Sequence, residues 1–121
     1  MRITMAQINS TVGDLDGNGQ KITEYIKEAK KHKADLAIFP ELAVTGYPPQ
    51  DLLYEKAFVR KNKQVLEKVI SKNQEIAAVV GFVDYDNKGN LYNAAAVFEG
   101  NRLAGICLLY TSPSPRDRQK S

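Results

Sequence analysis

Apolar and polar positions change period along the chain, and the changes mark its elements. Ile3, Met5 and Ile8 stand among polar neighbours and run into Asn9-Ser10-Thr11, which predicts a short strand followed by a loop. Val12-Gly13-Asp14 and Asp16-Gly17-Asn18 are turn sequences. From about Asn18 the apolar residues fall at Ile22, Tyr25, Ile26 and Ala29, three and four apart. Lys21, Glu24, Lys27, Glu28 and Lys31 lie between them, so the spacing predicts an amphipathic surface helix. Lys30, Lys31, His32 and Lys33 close it, putting cations beside the last carbonyls, and His32 is expected as an exposed helix-terminal residue without a catalytic role.

Leu36-Ala37-Ile38-Phe39 is a continuous apolar run that stops at Pro40, the pattern of a strand buried on both faces. The loop from Pro40 to Asp51 holds three of the five prolines together with Gly46. A second amphipathic helix is predicted from about Phe58 to Asn73, with Phe58, Val59, Val65, Leu66, Val69 and Ile70 on one side and Arg60, Lys61, Lys63, Lys68 and Lys72 mostly on the other. The texture then becomes a β-meander: Ile76 to Asp84, a turn over Asp86-Asn87-Lys88-Gly89-Asn90, Leu91 to Phe98, and Arg102 to Ile106. Gly100-Asn101 between the last two strands suits a tight hairpin turn with positive φ at the glycine. The predicted order is β-α-β-α-β-β-β, an α/β class with a mixed sheet and helices on at least one face.

Composition narrows the function classes. The chain has 121 residues, 43% hydrophobic and 26% charged, the size of one domain that can fold without a disulfide or metal staple. A single cysteine, Cys107, fits a reducing compartment. The longest apolar run, Ile76 to Val83, is far short of the ~18 residues of a membrane span, and no secretory apolar region follows Met1. A cytoplasmic protein with no membrane partner is expected. The net charge is +3 and the pI about 9.0. Arg116, Arg118 and Lys120 against Asp117 place +2 of that charge in residues 107–121, leaving +1 for the rest. The helix lysines alternate with glutamates and no nucleic-acid motif accompanies them, so a small basic nucleic-acid-binding or interaction module is the weaker alternative.

The candidate chemistry lies in Phe39-Pro40-Glu41-Leu42-Ala43-Val44-Thr45-Gly46-Tyr47-Pro48-Pro49-Gln50-Asp51-Leu52-Leu53. Glu41 follows the C-terminal end of a predicted buried strand, where open α/β sheets hold their ligands, and Pro48-Pro49 stiffens the loop after it. Desolvation by Phe39 and Leu42 is expected to suit this carboxylate to general-base work; the plainer alternative is a local hydrogen bond in a turn.

Phe39-Pro40-Glu41 followed by Thr45-Gly46-Tyr47-Pro48-Pro49-x-Asp51-Leu52-Leu53 resembles the amidase motif of the nitrilase superfamily, within it the N-terminal glutaminase domain of glutamine-dependent NAD synthetases. Ala6-Gln7-Ile8-Asn9, Thr11-Val12-Gly13-Asp14-Leu15, Gly17-Asn18 and Asn93-Ala94-Ala95-Ala96-Val97 share the likeness, which covers residues 1–106. The resemblance implies the αββα sandwich of nitrilases, of which this chain supplies the N-terminal part. It implies that a glutamate, a lysine and a cysteine hydrolyse glutamine through a thioester and release ammonia. Glu41 matches the general-base glutamate and Tyr47 the tyrosine lining the glutamine pocket. Tyr47 could equally be a loop aromatic packed over the helix that follows. The resemblance further implies no cofactor or metal in this domain. ATP, Mg and deamido-NAD would belong to a separate C-terminal synthetase domain, in an enzyme expected to be a homo-oligomer. Another nitrilase-type amidase or carbamoyl hydrolase is the nearer alternative.

Past Ile106 the likeness stops. The family's tyrosine-histidine-lysine segment and its Ile-Cys-Glu-Asp segment are not found, so the chain is expected to be inactive and to aggregate. Cys107 and Lys120 do not replace them: in the family the lysine precedes the cysteine, whereas Lys120 follows Cys107 in a Ser/Pro/Arg tail. Cys107-Leu108-Leu109-Tyr110-Thr111-Ser112-Pro113-Ser114-Pro115-Arg116-Asp117 resembles a translated transposase-type sequencing adapter, so residues 107–121 are expected to be artefactual; a flexible terminal extension is the alternative.

Overall fold

The structure is a computed structural model that describes residues 1–111. Five strands form one sheet in the order β1 (Ile3–Met5), β2 (Leu36–Ile38), β3 (Ala77–Tyr85), β4 (Leu91–Glu99) and β5 (Arg102–Thr111). The first three are parallel and the last three antiparallel. Helix α1 (Leu15–Lys31) connects β1 to β2, and α2 (Lys56–Lys72) connects β2 to β3 after a short 3-10 turn over Gln50–Tyr54. Both helices pack on the same face of the sheet, as crossovers of the usual right hand into successive neighbouring strands would place them.

The core lies on that face. Ile22, Ile26 and Ala29 of α1 and Val65, Leu66, Val69 and Ile70 of α2 meet Ala37, Ala78, Val80, Phe82, Ala94, Ala96 and Phe98 of the sheet. The helices approach closely at Gly19, where a Cβ would come 2.5 Å from Val65 Cγ1. Lys61 Nζ reaches Asp16 at 2.9 Å across the helix pair and, by hydrogen bond and charge, holds that carboxyl below its usual range.

Helix α1 begins before Asn18 because Asp14 caps it, its side chain accepting the Gly17 N–H at 3.1 Å. The apparent turn residues 16–18 are its first turn. His32 is the exposed C-cap. At the β4–β5 turn Gly100 has φ +56°, as the hairpin requires.

Two expectations are corrected. β1 ends at Met5, short of Ile8. β2 is not buried on both faces: Ala37 is buried, while Leu36 and Ile38, pointing away from the helices, are only half-buried. Away from the loop that follows β2, no layer among the described residues covers that second face. Strand β5 runs on from Ile106 through Thr111, so the join expected at residue 107 falls within a strand. The remainder of the expected artefactual tail, residues 112–121, lies outside the described residues.

Candidate active site

β2 is short, and β3 extends well beyond it. Pairing between them stops at Ile38 and Val79, which leaves the edge of β3 from Val79 onward needing other partners. The loop after β2 supplies them. Phe39 N–H donates to Val79 O at 2.9 Å and Val44 N–H to Gly81 O at 3.2 Å. Asn62 of α2 completes the edge: its Oδ1 accepts the Val83 N–H at 3.0 Å and its Nδ2 donates to Val83 O at 2.8 Å. The chain carrying Glu41 is therefore an extension of the sheet edge.

Between those anchors the Pro40–Leu42 backbone passes directly over Gly81. A Cβ on Gly81 would sit 2.5 Å from Leu42 N, 2.7 Å from Pro40 O and 3.1 Å from Glu41 C, so only glycine admits this approach. Leu42 takes φ +52°, turning its side chain into a small cluster with Leu53, Val59 and Val83. The rest of the loop is stitched to the N-terminal loop. Gly13 N–H donates to Thr45 O at 3.0 Å, Ser10 Oγ to Ala43 O at 2.8 Å and Asn18 Nδ2 to Val44 O at 2.9 Å. Gly46, at φ +80°, leaves no space for a side chain beside Val12. Pro48 and Pro49 then lead into the 3-10 turn.

Glu41 thus stands at the C-terminal end of a parallel strand, on a backbone fixed on both sides, as expected. Its surroundings differ from the expectation. Glu41 is exposed, because Phe39 enters the helix-side core and Leu42 the smaller cluster, so neither encloses the carboxylate. Tyr47 is 65% exposed. Cys107 comes up opposite Ala95, itself opposite Gly81, and so shares the sheet face that the Glu41 backbone crosses; it is exposed on the outer strand. Among the described residues no group of His, Cys, Asp and Glu side chains could hold a metal ion.

One residue on this face carries more than the sequence reading gave it. Asn93 is fully buried in β4, opposite Val83, and neither its Nδ2 nor its Oδ1 has a hydrogen-bond partner. In the sequence its signals were an amide at the head of an alanine-rich stretch and its place in the family likeness, neither of which gave it a role.

The family model for carbon-nitrogen hydrolases matches residues 2–106. The chain belongs to the carbon-nitrogen hydrolase family. The glutamine-dependent NAD(+) synthetase of Thermotoga maritima is 39% identical over 108 residues, covering 88% of this chain and 18% of that protein. The solved glutamine-dependent NAD+ synthetase of Acinetobacter baumannii, in complex with ADP, superposes with a TM-score of 0.82 at 39% identity, covering 88% of this chain and 20% of that one. An amidase from Nesterenkonia sp. shares the fold, with a TM-score of 0.76 at 20% identity over 93% of this chain and 45% of the amidase. The chain spans about a fifth of the length of the synthetases it matches. No helix among the described residues is long and apolar enough to cross a membrane.

Proposed function

We propose that residues 1–106 are the N-terminal part of a glutamine amidohydrolase domain that supplies ammonia to a synthetase domain for the ATP-dependent amidation of deamido-NAD, in the cytoplasm. The observation that carries this reading is the Glu41 turn: an exposed carboxylate at the end of β2, its backbone pinned over Gly81 and bonded to the β3 edge. Its continuation through Gly46-Tyr47-Pro48-Pro49 and the synthetase relatives support glutamine over other amides.

In this reading Glu41 takes the proton from a cysteine thiol, which attacks the side-chain carboxamide of glutamine. The tetrahedral intermediate collapses to a thioester and ammonia. Water, deprotonated by the same carboxylate, then cleaves the thioester to glutamate and free thiol. Tyr47 lines the glutamine pocket. The thiol and the lysine that stabilises the oxyanion are assigned to sequence following residue 106, and ATP and Mg to the synthetase domain. Cys107 is not the nucleophile.

The test begins with the complete reading frame recovered from source DNA. The protein it encodes is expected to release ammonia from glutamine and to amidate deamido-NAD with ATP. Glu41→Gln should lower ammonia release at least about a thousandfold while leaving amidation with added ammonia intact. Tyr47→Ala should act mainly on KM for glutamine. A reading frame without a downstream Ser-Gly-Gly-x-Asp-Ser motif, whose product cleaves other amides or carbamoyl groups, would overturn the proposal.

A further inference from the structure

Four asparagines are buried in the described core region, and three are used by the fold. Asn18 bonds Thr11 and Val44, Asn62 bonds Val59 and Val83, and Asn73 donates to Ile76 O and Gly100 O. Each ties separate segments of backbone together. Asn93 is equally buried and ties nothing: both ends of its carboxamide are unpartnered. A buried amide left this way is destabilising, and an apolar side chain of the same size would serve the strand better.

Its position explains the exception. In the β3–β4 ladder Gly81 faces Ala95 and Val83 faces Asn93, so Asn93 lies on the face crossed by the Glu41 backbone, one pair further along. Val83, its cross-strand neighbour, packs with Leu42, the residue after Glu41. The β4–β5 register also shifts between Asn93 and Ala94, an irregularity of the kind that re-aims side chains beside functional sites.

We propose that Asn93 is a positioning residue of the Glu41 site, its Nδ2 donating to the Glu41 carboxylate in the working enzyme and holding it in line with the thiol it deprotonates. The inference rests on the glutamine amidohydrolase reading above. Because the amide acts through Glu41 and does not touch glutamine, its loss falls on kcat, with KM little changed. Because the fold does not use the amide, its loss does not fall on stability.

The experiment uses the complete protein, with Asn93→Leu as the near-isosteric variant and Asn93→Ala as the second. The expected result is kcat for ammonia release lowered at least about tenfold, KM for glutamine within about twofold, and a thermal midpoint for Asn93→Leu equal to or above that of the parent. Should Asn93→Leu fold poorly, Asn93→Ala is read for the same split between kcat and KM. Either variant retaining the parent kcat would overturn the assignment, as would variants that lose activity only in step with thermal stability. A parent protein that releases no ammonia from glutamine overturns the amidohydrolase reading itself, an outcome seen before any variant is made.

Discussion

Asp86 shows how much a single side chain organises at the site end of the sheet. Its carboxylate accepts the backbone N–H of Lys88 and Asn90, the Asn90 amide and the Tyr92 hydroxyl, all between 2.8 and 2.9 Å, and so closes the β3–β4 turn. These donors, the Asn90 side chain first and Tyr92 next, hold its pKa at about 2, below the ordinary 3.8. Tyr92, bonded to that carboxylate, is correspondingly raised above 10.0. A depressed carboxylate gives stability that is complete above pH 3.8 and is lost as the pH falls towards about 2. An NMR titration should therefore find Asp86 protonating near pH 2, with its midpoint moved upward by Tyr92→Phe and further by Asn90→Ala. Gly81→Ala tests the other fixed point. All the atoms its Cβ would meet are backbone and cannot swing aside, so a cost of about 1–3 kcal/mol in unfolding free energy and a displaced Glu41 are expected. At this scale the sequence was an uneven guide. Glu41 and Tyr47 were singled out because a motif carried them. The exposure of Glu41 was not, since nothing local says that Phe39 and Leu42 turn into two different clusters. Asn93 is marked in the sequence by its place in the likeness; that both ends of its buried amide go unpartnered is a property of the packed sheet.

Elements were legible wherever one period ran long enough. Both helices and all five strands follow from the spacing of apolar residues. Their errors lie at ends, where a side chain bond decides: Asp14 moves the start of α1 back to Leu15. β2 was read as doubly buried because a short apolar run looks the same whether one face or both are covered. What the pattern could not show is that β2 is too short to pair the whole of β3. The loop and Asn62 make up the difference, and Asn62 reads in the sequence only as a polar residue of a helix. Its replacement should expose the dependence. Asn62→Ala leaves the buried Val83 N–H and C=O without their side-chain partners, and the complete protein should lose about 2–4 kcal/mol in urea unfolding. Hydrogen exchange at Val83 should accelerate with it, whereas Ala78 and Val80, within the core, should be little changed.

For the whole molecule, the one-sided core sets the behaviour of this chain by itself. Ile3, Met5 and Val97 lie exposed on the face away from the helices, and Leu103, Ile106 and Leu108 are exposed along β5, the sheet's outer strand. An open apolar face and an unpaired edge meet there, the combination that recruits further strands. The helices lie on the opposite face from Ile3, Met5 and Val97, whereas Leu103, Ile106 and Leu108 pair with Phe98, Ala96 and Ala94 on the helix side and are exposed at the outer strand. The 121-residue chain is expected to sediment as oligomers and aggregates at micromolar concentration and to bind a hydrophobic dye. Charging the edge with Leu103→Lys and Leu108→Lys should shift it towards monomer without restoring a covered sheet face, so dye binding should fall only in part. Neither preparation should release ammonia from glutamine, because in the function proposed above Cys107 is not the thiol that Glu41 deprotonates. A monodisperse parent chain that leaves the dye dark would show that residues 1–121 cover the face by themselves.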